Sequence, residues 1–163
     1  MKKGIIIALC SIAIALAGCK KPIDYANDYV GNYTGKFTLT LTSMNHQPQS
    51  NLSFPIDNVA MDIAKGSAIN TVTATVTMEN ETHQTQGTAT EEKLDFGTVH
   101  LDIDKPDQLY KFNLDLKMEG YKAQSDSLNL TGSFTGTGRA TFMGQEQVFN
   151  EVSGTINGIL IKQ

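Results

Sequence analysis

"LYKFNLDLKMEG", residues 109–120, sorts its side chains by parity. Tyr110, Phe112, Leu114, Leu116 and Met118 stand on even positions, and Lys111, Asn113, Asp115, Lys117 and Glu119 on odd ones. Successive side chains of a strand leave opposite faces of a sheet, so this alternation predicts a strand with one buried and one wet face. A sheet solvated on one side is the habit of antiparallel pairing.

The same parity recurs on both sides of that stretch. In "YTGKFTLTLT" (33–42), Tyr33, Phe37, Leu39 and Leu41 oppose Thr34, Lys36, Thr38, Thr40 and Thr42. In "TVTATVTM" (71–78), Val72, Ala74, Val76 and Met78 oppose four threonines. Weaker strands are predicted in "FGTVHLDI" (96–103), "SLNLTGSF" (127–134) and "VSGTINGILI" (152–161). Between them "MNHQPQSN", "DKPDQ", "MEGYKAQSD" and "FMGQE" carry the Gly, Pro, Asn and Asp chemistry of loops and turns.

"PIDNVAMDIAKG" (55–66) fits two periods. Ile56, Val59, Ala60, Ile63 and Ala64 are spaced as on a helix, whereas Val59, Met61 and Ile63 alternate. The strand reading is adopted because the rest of the chain is β. The total of about eight strands predicts an all-β, antiparallel closed barrel, with a β-sandwich as the alternative built from the same alternation. Composition agrees: the chain holds 18 threonines and no tryptophan, and threonine suits half-exposed pleated strands. Gly31-Asn32-Tyr33-Thr34-Gly35 and Gly132-Ser133-Phe134-Thr135-Gly136 share a Gly-x-aromatic-Thr-Gly pattern. It reads either as two equivalent strands bent at glycine or as an accident of composition.

The N-terminus has a secretory layout, with Lys2 and Lys3, an apolar run from Ile5 to Leu16, and small residues after it. The run falls short of the roughly 20 apolar residues that span a bilayer. Leu16-Ala17-Gly18-Cys19 resembles the lipobox of bacterial lipoproteins. That resemblance implies cleavage after residue 18 and acylation of the Cys19 thiol, the lipid-attachment site. Removal of residues 1–18 leaves 145 of the 163 and takes the net charge from −4 to −6, since two lysines and no acid are lost. Such a balance speaks against nucleic acid as a partner. Cys10 lies in the removed segment and Cys19 is the acylation site, so no disulfide is expected. "CKKPIDYAND" (19–28), polar and without period, reads as a tether, and residues 29–163 as the barrel domain.

A lipobox, a short tether and then "YVGNYTGKFTLTLT", opening on Gly31, Tyr33 and Gly35, resemble in layout the small lipocalin-like (calycin-like) lipoproteins of Bacteroidetes. The resemblance implies a barrel and a cell-envelope address. Lys20-Lys21-Pro22 follow Cys19, and the first acid is Asp24. Surface-displayed lipoproteins of that group carry acids directly after the cysteine, so the expected location is the outer membrane, facing the periplasm.

Chemistry is sparse. His46, His83 and His100 have no ligand spacing, and no metal or cofactor is expected. Asp102 and Asp104 share one strand face about 7 Å apart. Paired acids can bind calcium or serve a glycosidase, but the buried parity beside them points both toward water. "GSFTG" is no nucleophile elbow, and the Asn-x-Ser/Thr matches at Asn32, Asn51, Asn80 and Asn129 carry no glycan in an acylated bacterial protein.

The expectation is therefore a non-catalytic binding module with a membrane anchor. Its interior, lined by residues such as Phe37, Leu39, Phe112 and Leu114, would take an apolar or amphipathic small molecule. The alternative is an accessory envelope lipoprotein with a packed core that binds a protein partner. An enzyme working through Asp102 and Asp104 ranks last.

Overall fold

The computed structural model describes residues 21–105, 110–124 and 126–163. A short 3-10 helix, Tyr25–Asp28, precedes nine strands: β1 Gly31–Met44, β2 Gln47–Lys65, β3 Thr71–Met78, β4 Glu81–Ala89, β5 Lys93–Phe96, β6 Val99–Lys105, β7 Tyr110–Gln124, β8 Ser127–Phe142 and β9 Gln145–Lys162. Every pairing is antiparallel. The sheet order is β5-β4-β3-β2-β1-β9-β8-β7-β6, and a further β5–β7 pairing closes a ring of eight strands. Closure through β1–β9 and β5–β7 makes the fold a barrel and excludes the sandwich. β5 and β6 lie on the same edge of β7, against residues 119–121 and 110–116, so they act as one strand broken at Gly97 and Thr98.

The predicted parity is the observed one. Phe112, Leu114, Leu116 and Met118 of β7 are buried, as are Val72, Ala74, Val76 and Met78 of β3 and Phe37, Leu39 and Leu41 of β1. The ambiguous stretch 56–64 is strand, and its helical spacing has a simple cause. Gly35 pairs with Val59 but Phe37 with Ile56, so Asp57 and Asn58 bulge opposite Lys36 alone. The extra residue, taken up by Asn58 at φ 56°, puts Ile56 and Val59 on the same face three positions apart. Ala60 and Ala64, the other helical partners, are exposed.

Several connections are tighter than predicted. Of the loop and hairpin readings of "MNHQPQSN" the hairpin is the observed one: Asn45 and His46 turn the chain with φ of 46° and 64°, and β2 starts at Gln47. Glu79-Asn80 and Met143-Gly144 make the same kind of turn, left-handed at both positions. That geometry matches the twist of the flanking strands. "MEGYKAQSD" is not a loop, because β7 runs on to Gln124 and pairs with β8 almost throughout. Part of "DKPDQ", residues 106–108, lies outside the described residues.

The core packs by alternating size. Inward glycines on β8 and β9 sit opposite bulky neighbours: Gly154 pairs with Leu41 and Phe134, Gly158 with Phe37 and Leu130, and Gly138 with Phe112. A Cβ on Gly154 would strike the Phe134 ring, and one on Gly158 the Phe37 side chain. The rings occupy the space that the glycines leave.

One end of the barrel is plugged by residues read from sequence as tether. Asp24 caps the 3-10 helix by accepting from Ala26 N at 3.2 Å, accepts from Asn70 N at 2.9 Å in the β2–β3 turn, and pairs with Lys65 at 2.5 Å. Ala26 and Tyr29 are fully buried, the Tyr29 hydroxyl donates to Thr90 O, and the Tyr33 hydroxyl donates to Tyr29 O. These contacts order residues 24–28, which a free tether would leave loose. The opposite, distal end carries the turns at 45–46, 79–80 and 143–144.

Candidate functional site

All four expected lining residues, Phe37, Leu39, Phe112 and Leu114, are inside and 4% exposed or less. They fill the interior rather than line a void. Leu39, Phe112 and Leu114, with Leu41, Phe54, Ile103 and Phe134, leave no space for a water molecule among them. Phe54 reaches across from β2, its ring centroid 5.1 Å from that of Tyr110 and 5.4 Å from that of Phe112. A small-molecule site needs about 300 Å³ or more, and the space among these side chains is far below that.

The concave surfaces are outside, and strand geometry makes them. β2 pairs with β3 only from Ala60 onward, and β6 pairs with β7. The bulge at Asp57 and Asn58 thus ends the β2–β3 ladder, and a seam opens beyond the tip of the β3–β4 hairpin. It forms a cleft of about 500 Å³ between Pro55, Asp57 and Asn58 on one side and Thr77, Glu79 and Asn80 on the other, with Tyr110 in its wall. Beyond Tyr110 two shallower clefts, about 300 and 430 Å³, share Lys111, Arg139 and Glu146 and run on to Val148 and Phe149. Lys111 pairs with Asp104 at 3.0 Å and Arg139 with Glu146 at 3.4 Å, so the rim charges are matched in pairs. Together these clefts form a band around the distal end, with Tyr110 and Arg139 along it and Val148 58% exposed.

Another opening, of about 340 Å³, marks the break at Gly97 and Thr98, between Asp95, Lys117, Glu119 and Ser133. Lys93 beside it bridges Asp95 at 2.9 Å and Glu119 at 2.8 Å. Hydrogen bonds from Lys93 and then from the Tyr121 hydroxyl hold the Glu119 carboxyl below its ordinary range. This is an exposed ion-pair network with no nucleophile set against a base.

The polar candidates form cross-strand pairs on the outer face. His100 Nδ1 lies 3.0 Å from Asp115 and its Nε2 3.7 Å from Asp102. The hydrogen bond to Asp115 raises the His100 pKa above 6.5, with Asp102 adding to the effect. Asp102 accepts from the Asn113 amide at 2.6 Å, and Asp104 from Lys111 at 3.0 Å. Both acids lie on the outer face, Asp102 between Asn113 and His100 and Asp104 on Lys111. His83 pairs with Glu81 at 3.2 Å and His46 with Glu151 at 3.3 Å. Among the described residues no three His, Cys, Asp or Glu side chains are placed to hold a metal ion. Cys19, with the rest of residues 1–20, lies outside the described residues.

Sequence reasoning did not find Asn58, Glu79-Asn80 or Tyr110 as the edges of one cleft. The available signals were the turn residues between alternating runs and the parity slip at Ile56 and Val59. A scan against protein-family models finds no match, and a search of curated proteins finds no similar sequence. Fold and surface together define an antiparallel eight-stranded barrel with a closely packed apolar interior and clefts on its outer surface.

Proposed function

We propose that the chain is a non-catalytic lipoprotein of the bacterial outer membrane, anchored through Cys19 and facing the periplasm, that binds an envelope protein through its distal band. The observation that supports this reading is the close packing around Leu39, Leu41, Phe112 and Leu114, which leaves no water-sized space among them. Support for a protein partner comes from the character of the band. Aromatic residues and arginine are enriched at the centres of protein interfaces, and here Tyr110 and Arg139 flank a continuous run of clefts. The lipobox-like Leu16-Ala17-Gly18-Cys19 and the secretory layout before it support the address.

Two measurements test the reading. Native mass spectra of the mature chain from its own envelope, before and after organic extraction, are expected to show the acylated polypeptide and no further extractable mass. A photo-crosslinker at Asn80, on the seam, is expected to capture one defined partner, and the same group at Asn129, on the outer wall, none. A stoichiometric extractable compound would return the barrel to the carrier class.

A further inference from the structure

We infer that the plugged end of the barrel rests on the lipid surface, with Ile23, Ile69, Ile159 and Ile161 in contact with the bilayer interface. This inference rests on the lipid anchor of the proposed function and adds an orientation to it. Seven large apolar side chains stand exposed among the described residues, and four of them are isoleucines toward this end: Ile23 65%, Ile69 53%, Ile161 53% and Ile159 43% exposed. Ile69 lies in the β2–β3 turn, immediately before the Asn70 whose backbone N–H bonds Asp24. Ile23 directly precedes that same Asp24. Ile161, next to last on β9, pairs with Thr34 of β1, and β1 lies beside β2. The four therefore follow one arc of the wall, β2–β1–β9.

The course of the chain says what covers this arc. The residues preceding the described ones join it at Lys21, three positions before Asp24 is fixed to the barrel. Asp24 stands five positions after Cys19, and an extended chain of that length spans at most about 18 Å. A barrel so tied keeps its plugged end close to any bilayer that holds Cys19. Lysines lie on the same side: Lys65 pairs with Asp24, and Lys162 donates to Val30 O at 2.7 Å. Long lysine stems cover apolar surface while the ammonium stays at the interface. The exposed acids Glu91 and Glu92 sit in the β4–β5 turn at the same end, next to the β2–β3 turn, where Ala89 N donates to Asn70 O at 2.7 Å. A surface of isoleucine and lysine beside a lipid tether suits the headgroup boundary, where apolar side chains sink about 5–10 Å.

The mature chain contains no cysteine besides Cys19, so single cysteines can be labelled without interference from other thiols. The acylated full-length mature protein, carrying a fluorophore at Ile69→Cys, Ile161→Cys, Asn80→Cys or Met143→Cys, would be reconstituted into phosphatidylethanolamine–phosphatidylglycerol vesicles holding a nitroxide-labelled lipid. Strong quenching at positions 69 and 161 and weak quenching at 80 and 143 is the expected result. Thr34→Cys, beside Ile161 on the outer wall, replaces Ile161→Cys if that variant fails to fold. Equal quenching at both ends, in a protein whose intact mass carries the acyl chains, would overturn the seat and leave the anchor standing. A mature chain without acyl mass that washes off the vesicles would overturn both.

Discussion

At the scale of single residues, asparagines do work that their exposure hides. Asn45 holds φ 46° in the β1–β2 turn, and its side chain reaches β9: its amide donates to Val148 O, and its Oδ1 accepts from Asn150 N and Glu151 N. It therefore covers part of the backbone edge that β9 exposes where β1 ends. Left-handed backbone costs an ordinary L-residue roughly 1–2 kcal/mol, and asparagine tolerates it through local hydrogen bonds. Asn45→Ala is expected to lower stability by about 1–3 kcal/mol, the backbone cost plus roughly one net hydrogen bond, in urea unfolding. Asn45→Gly, which lifts the strain but loses the bonds, should fall between that variant and the parent.

His100 supplies a residue-scale titration. Its pKa lies above 6.5 in the folded chain because protonated imidazole is held by Asp115 and favoured by Asp102. A raised folded value means that the contribution to stability is complete below about pH 6.5 and is lost as the pH rises through the folded pKa. The His100 ring signals in an NMR titration should move at a midpoint above 6.5, and Asp115→Asn should bring that midpoint down. A midpoint unmoved by Asp115→Asn would remove the pair as the cause.

At the scale of elements, legibility followed the size of the inward side chain. β7, β3 and β1 were readable because their inward positions carry large apolar groups. β4 was not, since its inward positions are Thr85, Gly87 and Ala89, and "ETHQTQGTA" gives no alternation to detect. β5 has four residues, too few for a period, and is defined by its partner β7. The first five residues of β2, 47–51, fell within a stretch read as loop or hairpin because Pro48 and the polar run beside it resemble a turn, whereas they form an edge that β3 does not pair. The plug was hidden for another reason: Asp24 is more than 40 positions from Lys65 and Asn70 in sequence and meets them only in the folded barrel.

The plug titrates as an element. The Lys65 hydrogen bond, followed by the Asn70 N–H, lowers the Asp24 pKa from its ordinary 3.8. Its contribution is present above that ordinary value and is lost as the pH falls through the depressed folded one. In acid the 3-10 helix should release before the barrel opens, seen as loss of hydrogen-exchange protection at Ala26 and Asn70 while the β7 and β8 amides stay protected. Asp24→Asn should produce the same local opening at neutral pH. In the wall, Gly154→Val places a branched side chain where the Phe134 ring lies, and such overpacking costs about 1–3 kcal/mol.

At the scale of the whole molecule, a barrel of about eight strands can either hold one small ligand or be filled by its own side chains. The alternation that made this barrel legible is identical in the two cases, so Phe37, Leu39, Phe112 and Leu114 could be assigned to the interior but not to a cavity. What separates the cases is a relation between strands, the large residue of one against the glycine of the next, and that depends on register. Phe112 tests it because its ring lies over Gly138 and against Phe54. Phe112→Ala is expected to cost about 3–5 kcal/mol, the range for removing a buried aromatic ring from a close-packed core. If the parent core is solid, the variant gains a dry apolar void where the parent has none, and benzene or xenon should stabilise the variant alone, because only it has a site to occupy. A parent barrel whose thermal midpoint already rises with benzene would have a cavity of its own, and the carrier reading would then displace binding at the distal surface.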